Sequence, residues 1–346
     1  MSDKVWTGRA SVRAHAQPAD GALEDAAEGA AEALARDDDV EPDDDACEVR
    51  VVAVEPQAHG ERIDKLLTRI APEFSRSHLQ TLIGDGRVTL DGRIARAASQ
   101  RVKAGQRVQV ELRPPARELA FTPQEMPLAV VYEDAHVLVV DKPAGLVVHP
   151  AAGNWSGTLL NGLLARDPAS AGLPRAGIVH RLDKDTSGLM VVGRSLEAVT
   201  GLMRDIAARV VSRRYLALAH GQMVQARDSI EAPVGRDPRG RVRMAVVSGG
   251  KPARTDVEVL AHADGISAVR CILHTGRTHQ IRIHMAHRGH PLIGDELYGG
   301  RPALGMTRQA LHAAQLAFRH PVSGQELAFE APPPADFAQA WARVIG

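Results

Sequence analysis

The sequence predicts an α+β protein, in which a large mixed, mainly antiparallel sheet follows a small N-terminal unit of two helices and a hairpin. With 346 residues, 44% of them hydrophobic, the chain can bury one large core and a second, smaller one. In the longer C-terminal part, strand-like runs outnumber helical runs and mostly follow one another directly. That order favours an α+β domain over a doubly wound parallel sheet.

Charge is divided unevenly along the chain, although the formal net charge is zero. Residues 1–48 contain 14 Asp and Glu against 4 Lys and Arg, a balance of −10, which leaves 28 acidic and 38 basic residues, or +10, for the rest. The acidic, alanine-rich stretch has too little apolar content to fold alone and is predicted to be a disordered tail. The basic remainder suits a polyanionic partner, with which the tail could compete.

Neither a membrane nor a disulfide scaffold is indicated. No apolar run approaches the roughly 18 to 20 residues of a membrane-spanning helix, and no signal-peptide core is visible, so we expect a cytoplasmic protein. Cys47 and Cys271 are too few and too far apart to suggest a disulfide framework or a thiolate zinc site. Cys271 lies in an apolar run and is expected in the core.

Residues 49–113 are predicted to form the small unit. Apolar residues at helical spacing indicate its first helix: Ile63, Leu66, Leu67 and Ile70. Ser75 or Ser77 can cap a second helix that ends at a glycine, and RVTLDGRIA alternates around Asp91-Gly92 as a hairpin does. The basic residues of the unit are Arg62, Lys65, Arg69, Arg76, Arg87, Arg93 and Arg96.

Residues 114–126 are predicted to be a linker, because the prolines of this stretch break both helices and sheet ladders. The second domain, 127–346, begins with AVVYEDAHVLVVDKPAGLVVHP, which predicts two strands around a turn at 142–145. GTLLNGLLARD and SLEAVTGLMRDIAARVV are predicted helices, and RRYLALAHGQM and QIRIH are predicted strands. A last helix carries Phe337 and Trp341.

GIVHRLDKDTSGLMVV, residues 177–192, places two carboxylates and two cations between apolar runs. A turn accounts for DTSG, where Gly188 can adopt a positive φ. It does not account for HRLD, because Ile178, Val179 and Leu182 are expected to be buried and a charge beside them needs a partner or a function.

Two later segments also carry reactive side chains, RRY at 213–215 and GRTHQIRIHMAHRGH at 276–290. Taken alone, Tyr215 could be a packing residue and Arg282 an exposed residue on a strand. The histidines at 284, 287 and 290 raise the alternative of a zinc hydrolase. We do not favour it, because neither Cys nor a carboxylate stands among them and they are expected to run from a strand into a turn.

The motifs resemble two known families. RID-LL and SRS-L-LI-G-V-L-G are similar to the αL RNA-binding module first named for a small-subunit ribosomal protein, which implies binding of structured RNA. HRLDKDTSGL, RRYLAL and GRTHQIRIHMAHRGHPLIGD, together with DKPAGLVVHP, resemble the RluA/RluD family of RNA pseudouridine synthases. The resemblance covers residues 51 to about 335, and GNWSGTLLNGLL with the αL module is most similar to the D-type, large-subunit members.

The resemblance implies a catalytic trio. Asp183 is the catalytic aspartate, which either attacks the ribose or takes a proton from it. A buried carboxylate tends toward neutrality, whereas a cation within about 4 to 6 Å keeps it charged, and Arg282 is the implied partner. Tyr215 is expected to stack on the uracil and to assist removal of the proton from carbon 5.

Other roles follow from the same resemblance. Leu182 and Ile281 are expected to line the pocket, and Arg181 to fill the gap left by a flipped uridine, unless it pairs with Asp185. His180 is expected at the substrate site, fixing the loop by a hydrogen bond. In the small unit, Lys65 and Arg76 are expected to contact phosphates.

The sequence therefore predicts a monomeric RNA-modifying isomerase without cofactor or metal. Its implied substrate is large-subunit ribosomal RNA, at the stem-loop of helix 69. The main alternative is a non-catalytic RNA-binding ribosome-assembly factor on a synthase-like fold.

Overall fold

The computed structural model describes residues 11–12, 48–112, 119–151, 154–238 and 243–346. The chain divides into two compact units, with the division between Ala120 and Phe121. Except for residues 11, 12 and 48, the predicted acidic tail lies outside the described residues. Residues 113–118, which include the first five residues of the predicted linker, lie outside them as well. Every helix in the described ranges is too short or too polar to span a bilayer.

The helices are α1 (Ile63–Ile70), α2 (Arg76–Gly84), α3 (Leu159–Arg166), α4 (Leu196–Ala207), α5 (Gln280–His287) and α6 (Ala335–Ile345). The first eight strands are β1 (Ser11–Val12), β2 (Glu48–Ala53), β3 (Val88–Leu90), β4 (Arg93–Ile94), β5 (Arg107–Leu112), β6 (Ala129–Glu133), β7 (Val137–Lys142) and β8 (Ser187–Gly193). The remaining strands are β9 (Ser212–His220), β10 (Arg227–Glu231), β11 (Val234–Arg236), β12 (Met244–Val246), β13 (Arg254–Ala263), β14 (Ile266–Leu273), β15 (Leu311–Arg319) and β16 (Glu326–Glu330).

The small unit contains the two predicted helices and the predicted hairpin. Ser75 caps α2 by accepting a hydrogen bond from His78 N at 3.3 Å, and Asp91 and Gly92 turn the hairpin with φ of 52° and 77°. The sequence analysis missed β2 and β5, which extend the hairpin to a four-stranded sheet in the order β2-β5-β3-β4. One face of this sheet and the two helices enclose an apolar core of their own.

The larger unit is built on one large sheet, as predicted. Its main path runs β10-β13-β14-β9-β15-β8-β7-β6, and β16 pairs with β15 and with the two-residue β1. Only the β8–β15 pairing is parallel among the described pairs; the others are antiparallel. Central β8 is buried along its whole length, which explains its continuous apolar character.

Alternation along the central strands divides the core into two layers. Side chains at 138, 140, 190, 192, 215 and 217 face a layer that contains residues of α3 and α5. Their neighbours at 137, 139, 189, 191, 216 and 218 face the opposite side, which is covered by α4 and α6. Tyr215 on β9 therefore shares one face of the sheet with α5, and this arrangement positions the site.

Two predicted strands are absent. The turn at 142–145 forms, but the segment after it is not a strand, because the carbonyl groups of Pro143 and Leu146 accept hydrogen bonds from Lys142 Nζ at 2.8 Å each. QIRIH is not a strand either: it begins helix α5, which follows His279 in the left-handed conformation at φ 55°.

Candidate active site

Asp183 lies on an extended segment that leads through a turn into β8. Thr186 N donates to the Asp183 carbonyl at 3.1 Å, and β8 then pairs in parallel with β15 at Ser187 and Gly188. Gly188 has φ 115°, and a Cβ there would stand 2.3 Å from the carbonyl oxygen of Ala313. Only glycine permits this close approach of the two strands, which fixes the backbone five residues beyond the carboxylate.

Arg282, on helix α5, joins Asp183 to a second carboxylate. Its Nη1 donates to Asp183 Oδ2 at 3.2 Å, while Nε and Nη2 donate to the two oxygens of Asp295 at 2.7 and 2.8 Å. The bidentate bond to Asp295, whose side chain is fully buried, fixes the plane of the guanidinium. Arg282 is itself buried, so the alternative of an exposed arginine on a strand is wrong.

The Asp183 carboxyl group stays ionised although it is almost enclosed. Burial raises its pKa, but the charges of His279, Arg282 and Arg181 outweigh that effect, so that the pKa lies below its ordinary value of 3.8. Burial lowers the pKa of Arg282, whereas its bonds to Asp295 and Asp183 raise it to a net higher value. The site therefore holds an anion beside a permanent cation at neutral pH.

Tyr298 and His279 lie next to the Asp183–Arg282 pair. The Arg282 guanidinium carbon lies 5.1 Å from the centre of the Tyr298 ring, and His279 Nδ1 is 2.9 Å from the Tyr298 hydroxyl. His279 Nε2 stands 3.9 Å from Asp183 Oδ1, beyond hydrogen-bond distance. Among the described residues, Oδ1 accepts no hydrogen bond, so it is the carboxylate oxygen available to a substrate.

Tyr215, Leu182 and Ile281 are all buried and belong to the same large apolar cluster, on the face of the sheet that carries α5. The Tyr215 hydroxyl makes no hydrogen bond within the described ranges, in contrast to most buried tyrosines. Burial, together with the negative charge of Asp183, raises the pKa of Tyr215 to about 12 although Arg213 opposes the shift. The phenol is therefore protonated at neutral pH.

His180 and Arg181 have different surroundings. His180 is buried, and its Nε2 accepts a hydrogen bond from Val191 N at 3.0 Å, which ties the HRLD segment to β8. Burial and the charge of Arg213 lower the pKa of His180 to about 3, so the ring is neutral. Arg181 is partly exposed, and its positive charge contributes to lowering the pKa of both Asp183 and His149.

Lys142 was not predicted, yet it holds the backbone next to Asp183. Its side chain is buried and Nζ donates to three carbonyl oxygens, those of Pro143, Leu146 and, at 2.9 Å, Lys184. Burial lowers the pKa of Lys142 to about 7, while nearby Asp183 and Asp185 raise it. A lysine at the end of a buried, mainly apolar strand was the available signal for this role.

The histidines at 284, 287 and 290 form no site together. His284 and His287 lie on α5, and not on a strand and turn as expected. His284 is buried with both ring nitrogens occupied, Nδ1 by Thr255 Oγ1 at 3.0 Å and Nε2 by the carbonyl oxygen of Ala232 at 2.9 Å. Within the described ranges, no group of three or more metal-ligating side chains is assembled.

In the small unit, the residues predicted to contact phosphates have acidic partners. Arg76 and Arg62 both bind the buried carboxylate of Asp64, at 2.9 and 3.0 Å, and lower its pKa. Lys65 Nζ lies 3.5 Å from Glu61. The side chains of Arg76 and Lys65 nevertheless remain more than half exposed.

Comparison with known proteins agrees with this architecture. Residues 136–287 match the sequence profile of RNA pseudouridylate synthase, and residues 61–108 match the S4 domain. The human protein named RNA pseudouridylate synthase domain containing 4 has the same fold, with a TM-score of 0.51 and 22% identity over 62% of this chain and 92% of that chain. The match to the pseudouridylate synthase profile indicates an isomerase that acts on RNA.

Two bacterial relatives are much more similar. A protein of Neisseria meningitidis serogroup A, named ribosomal large subunit pseudouridine synthase D, is 50% identical over 289 residues, which cover 80% of this chain and 77% of the relative. Its namesake from Xanthomonas campestris pv. campestris is 48% identical over 301 residues, with coverage of 83% and 90%. The chain belongs to the RNA pseudouridylate synthase family, and the resemblance found in its motifs is confirmed.

Proposed function

We propose that this protein converts specific uridines of large-subunit ribosomal RNA into pseudouridine, with Asp183 as the catalytic residue. The observation that carries the proposal is the buried Asp183–Arg282 ion pair, in which one carboxylate oxygen is left without a hydrogen bond from the described residues. The similar bacterial proteins named for the large ribosomal subunit support the choice of RNA.

The reaction breaks the bond between N1 of uracil and C1′ of ribose, and joins carbon 5 to C1′ after the base has turned. Asp183 Oδ1 either attacks C1′ to form an ester, or removes the 2′ proton to give a glycal. Both routes need an ionised carboxylate, which the cations around Asp183 maintain. Arg282 holds the carboxylate in place through Oδ2, so that Oδ1 faces the substrate.

Tyr215 serves mainly as a stacking surface for the uracil in this proposal. Its raised pKa of about 12 disfavours the phenolate at neutral pH, so the hydroxyl acts as a polar contact to the uracil. The proton of carbon 5 passes to the Asp183 carboxylate, which is free again once carbon 5 has bonded to C1′, and N1 takes up a proton from water. Leu182 and Ile281 provide apolar walls that exclude water, which matters because a hydrated site would release the detached base. No cofactor is required for these steps.

Entry of the base requires flipping, which costs a few kcal/mol and is least costly in a loop. The partly exposed Arg181 is suited to stack in the gap that the uridine leaves. His180 is a positioning residue, because its neutral ring fixes the segment that carries both Arg181 and Asp183.

We propose that the substrate is the stem-loop of helix 69. We also propose that the enzyme modifies it as a monomer in the bacterial cytoplasm.

The small unit is proposed to bind adjoining RNA through exposed edges of Lys65 and Arg76. Removing residues 49–113 should therefore weaken modification of ribosomal RNA far more than turnover of a short loop oligonucleotide. Tritium release from uridine labelled at carbon 5 measures both reactions, and the salt dependence of ribosomal RNA binding should become shallower. Equal losses on the two substrates would contradict an RNA-binding role for this unit.

A further inference from the structure

Arg213 is a buried cation for which the described part of the chain offers no partner. Only 5% of the residue is exposed, and none of the described residues provides an acceptor for its enclosed Nε. Across the described ranges, its guanidinium makes neither a hydrogen bond nor an ion pair, whereas Arg282, equally buried, binds two carboxylates. An uncompensated buried charge is strongly destabilising, so a counter-charge is expected from outside the chain.

Arg213 lies at the edge of the proposed active site. On β9 it precedes Tyr215 by two residues, so both side chains are on the same face of the sheet, roughly 7 Å apart along the strand. The backbone at Gly276 is close, since a Cβ there would stand 3.0 Å from Arg213 Nη1. The loop that begins at this glycine leads directly to His279, which stands beside Asp183.

A second unpartnered donor lies in the same region. His180 accepts a hydrogen bond at Nε2, which places the proton of the neutral ring on Nδ1. Nδ1 is buried, and no described residue accepts a hydrogen bond from it. The charge of Arg213 is near enough to lower the pKa of both His180 and Tyr215. Two donors cannot satisfy one another, so this region combines a positive charge with two buried hydrogen-bond donors.

We propose that Arg213 binds a phosphate of the RNA backbone that flanks the flipped uridine, and thereby positions its ribose against Asp183. This inference rests on the proposed function. The guanidinium fork matches the geometry of a phosphate, and burial strengthens the attraction because water does not screen it. Phosphate on the 5′ or the 3′ side of the target has the same chemistry, and the experiment distinguishes the two.

The test uses stem-loop RNAs in which one flanking phosphate is replaced by an uncharged methylphosphonate. With the full-length enzyme, we expect the replacement to lower kcat/KM by about 10- to 100-fold at only one of the two positions. Arg213→Met should lose the same factor on unmodified RNA and show no further loss with that methylphosphonate. Arg213→Lys should recover part of the activity, because it restores the charge without the fork.

Arg214→Met is the matched control, because Arg214 is exposed and its side chain lies on the opposite face of β9 from Arg213. It should keep the full methylphosphonate response. The melting temperature of Arg213→Met should stay unchanged or rise, since an unpaired buried charge is removed. A lower melting temperature with an intact methylphosphonate response would show that Arg213 is structural and overturn the proposal.

Other results are also decisive. If Arg213→Met shifts the pH profile of kcat but leaves the methylphosphonate response unchanged, Arg213 acts on Tyr215 and the proposal is wrong. If the wild-type enzyme forms no pseudouridine in any ribosomal RNA, the proposed function fails instead. Equilibrium binding of the same RNAs to the wild type and to Arg213→Met then still tests the phosphate contact.

Discussion

Asp183→Asn is expected to abolish pseudouridine formation while RNA binding survives. The substitution keeps the size of the side chain but removes the charge that either chemical route requires, so turnover should fall by at least about 10³-fold. Tritium release from RNA labelled at carbon 5 of uridine reports the chemistry, and filter binding reports the affinity.

Asp185→Asn makes the same change of charge two residues further along the segment and should keep nearly normal turnover. The Asp185 carbonyl accepts a hydrogen bond from Arg308 at 2.8 Å, a contact that the substitution leaves in place. Retained turnover in Asp183→Asn, at a level similar to Asp185→Asn, would remove Asp183 from the mechanism.

Arg282→Met should reduce turnover by roughly two to three orders of magnitude, because Asp183 loses its nearest cation and its hydrogen bond. It also leaves the buried Asp295 unpaired, which should cost about 3 to 5 kcal/mol of stability. The double variant Arg282→Met/Asp295→Asn removes that charge and should recover stability without recovering activity. Steady-state tritium release and thermal unfolding separate the two effects.

Arg288→Met is the control for Arg282→Met, since Arg288 follows the same helix but is partly exposed and pairs with Asp228 at 2.9 Å. It should remain close to the wild type. If Arg282→Met loses less than about tenfold, equivalent to ~1.4 kcal/mol, then its charge does not support the reaction and the proposed role is wrong.

The pH dependence of turnover provides a further readout for Arg282. In the wild type, the pKa of Asp183 lies below 3.8, so its protonation should not limit activity between about pH 5 and 8. Because its pKa is lower in the folded than in the unfolded protein, ionised Asp183 stabilises the fold at pH values above its unfolded-state pKa. This contribution to stability is lost as the pH falls through the folded-state pKa. Without Arg282, burial raises the pKa and the acidic limb of the activity profile should move to higher pH.

Much of the fold could be predicted because local patterns agree with tertiary structure. The helical spacing of apolar residues in α1, the serine that caps α2 and the Asp91-Gly92 turn each specify locally the element that the structure contains. The prediction of a strand at QIRIH was wrong because residues 280–285 are all buried. The alternation of apolar residues therefore could not distinguish the two-residue period of a strand from the 3.6-residue period of a helix. The left-handed His279 that begins this helix has no signature in the sequence.

The site was only partly predictable. Asp183, Tyr215 and Arg282 could be proposed as site residues because their motifs resemble a family, and in the structure Arg282 contacts Asp183 while Tyr215 is buried in the core cluster. Asp295 and Tyr298 were missed since their role depends on the approach of the 295–298 segment to α5, which no local pattern encodes. The one available signal was the position of Asp295 directly after the apolar stretch PLIG, which resembles the position of Asp183 after Leu182.

The most direct test is the mapping of pseudouridines by carbodiimide-blocked primer extension in a strain that lacks this gene. The stops at helix 69 of large-subunit ribosomal RNA should disappear, return with the wild-type gene, and remain absent with the gene for Asp183→Asn. If helix 69 stays fully modified while another RNA loses its pseudouridine, the proposed substrate is wrong. If Asp183→Asn restores the stops, the proposed catalytic mechanism is wrong.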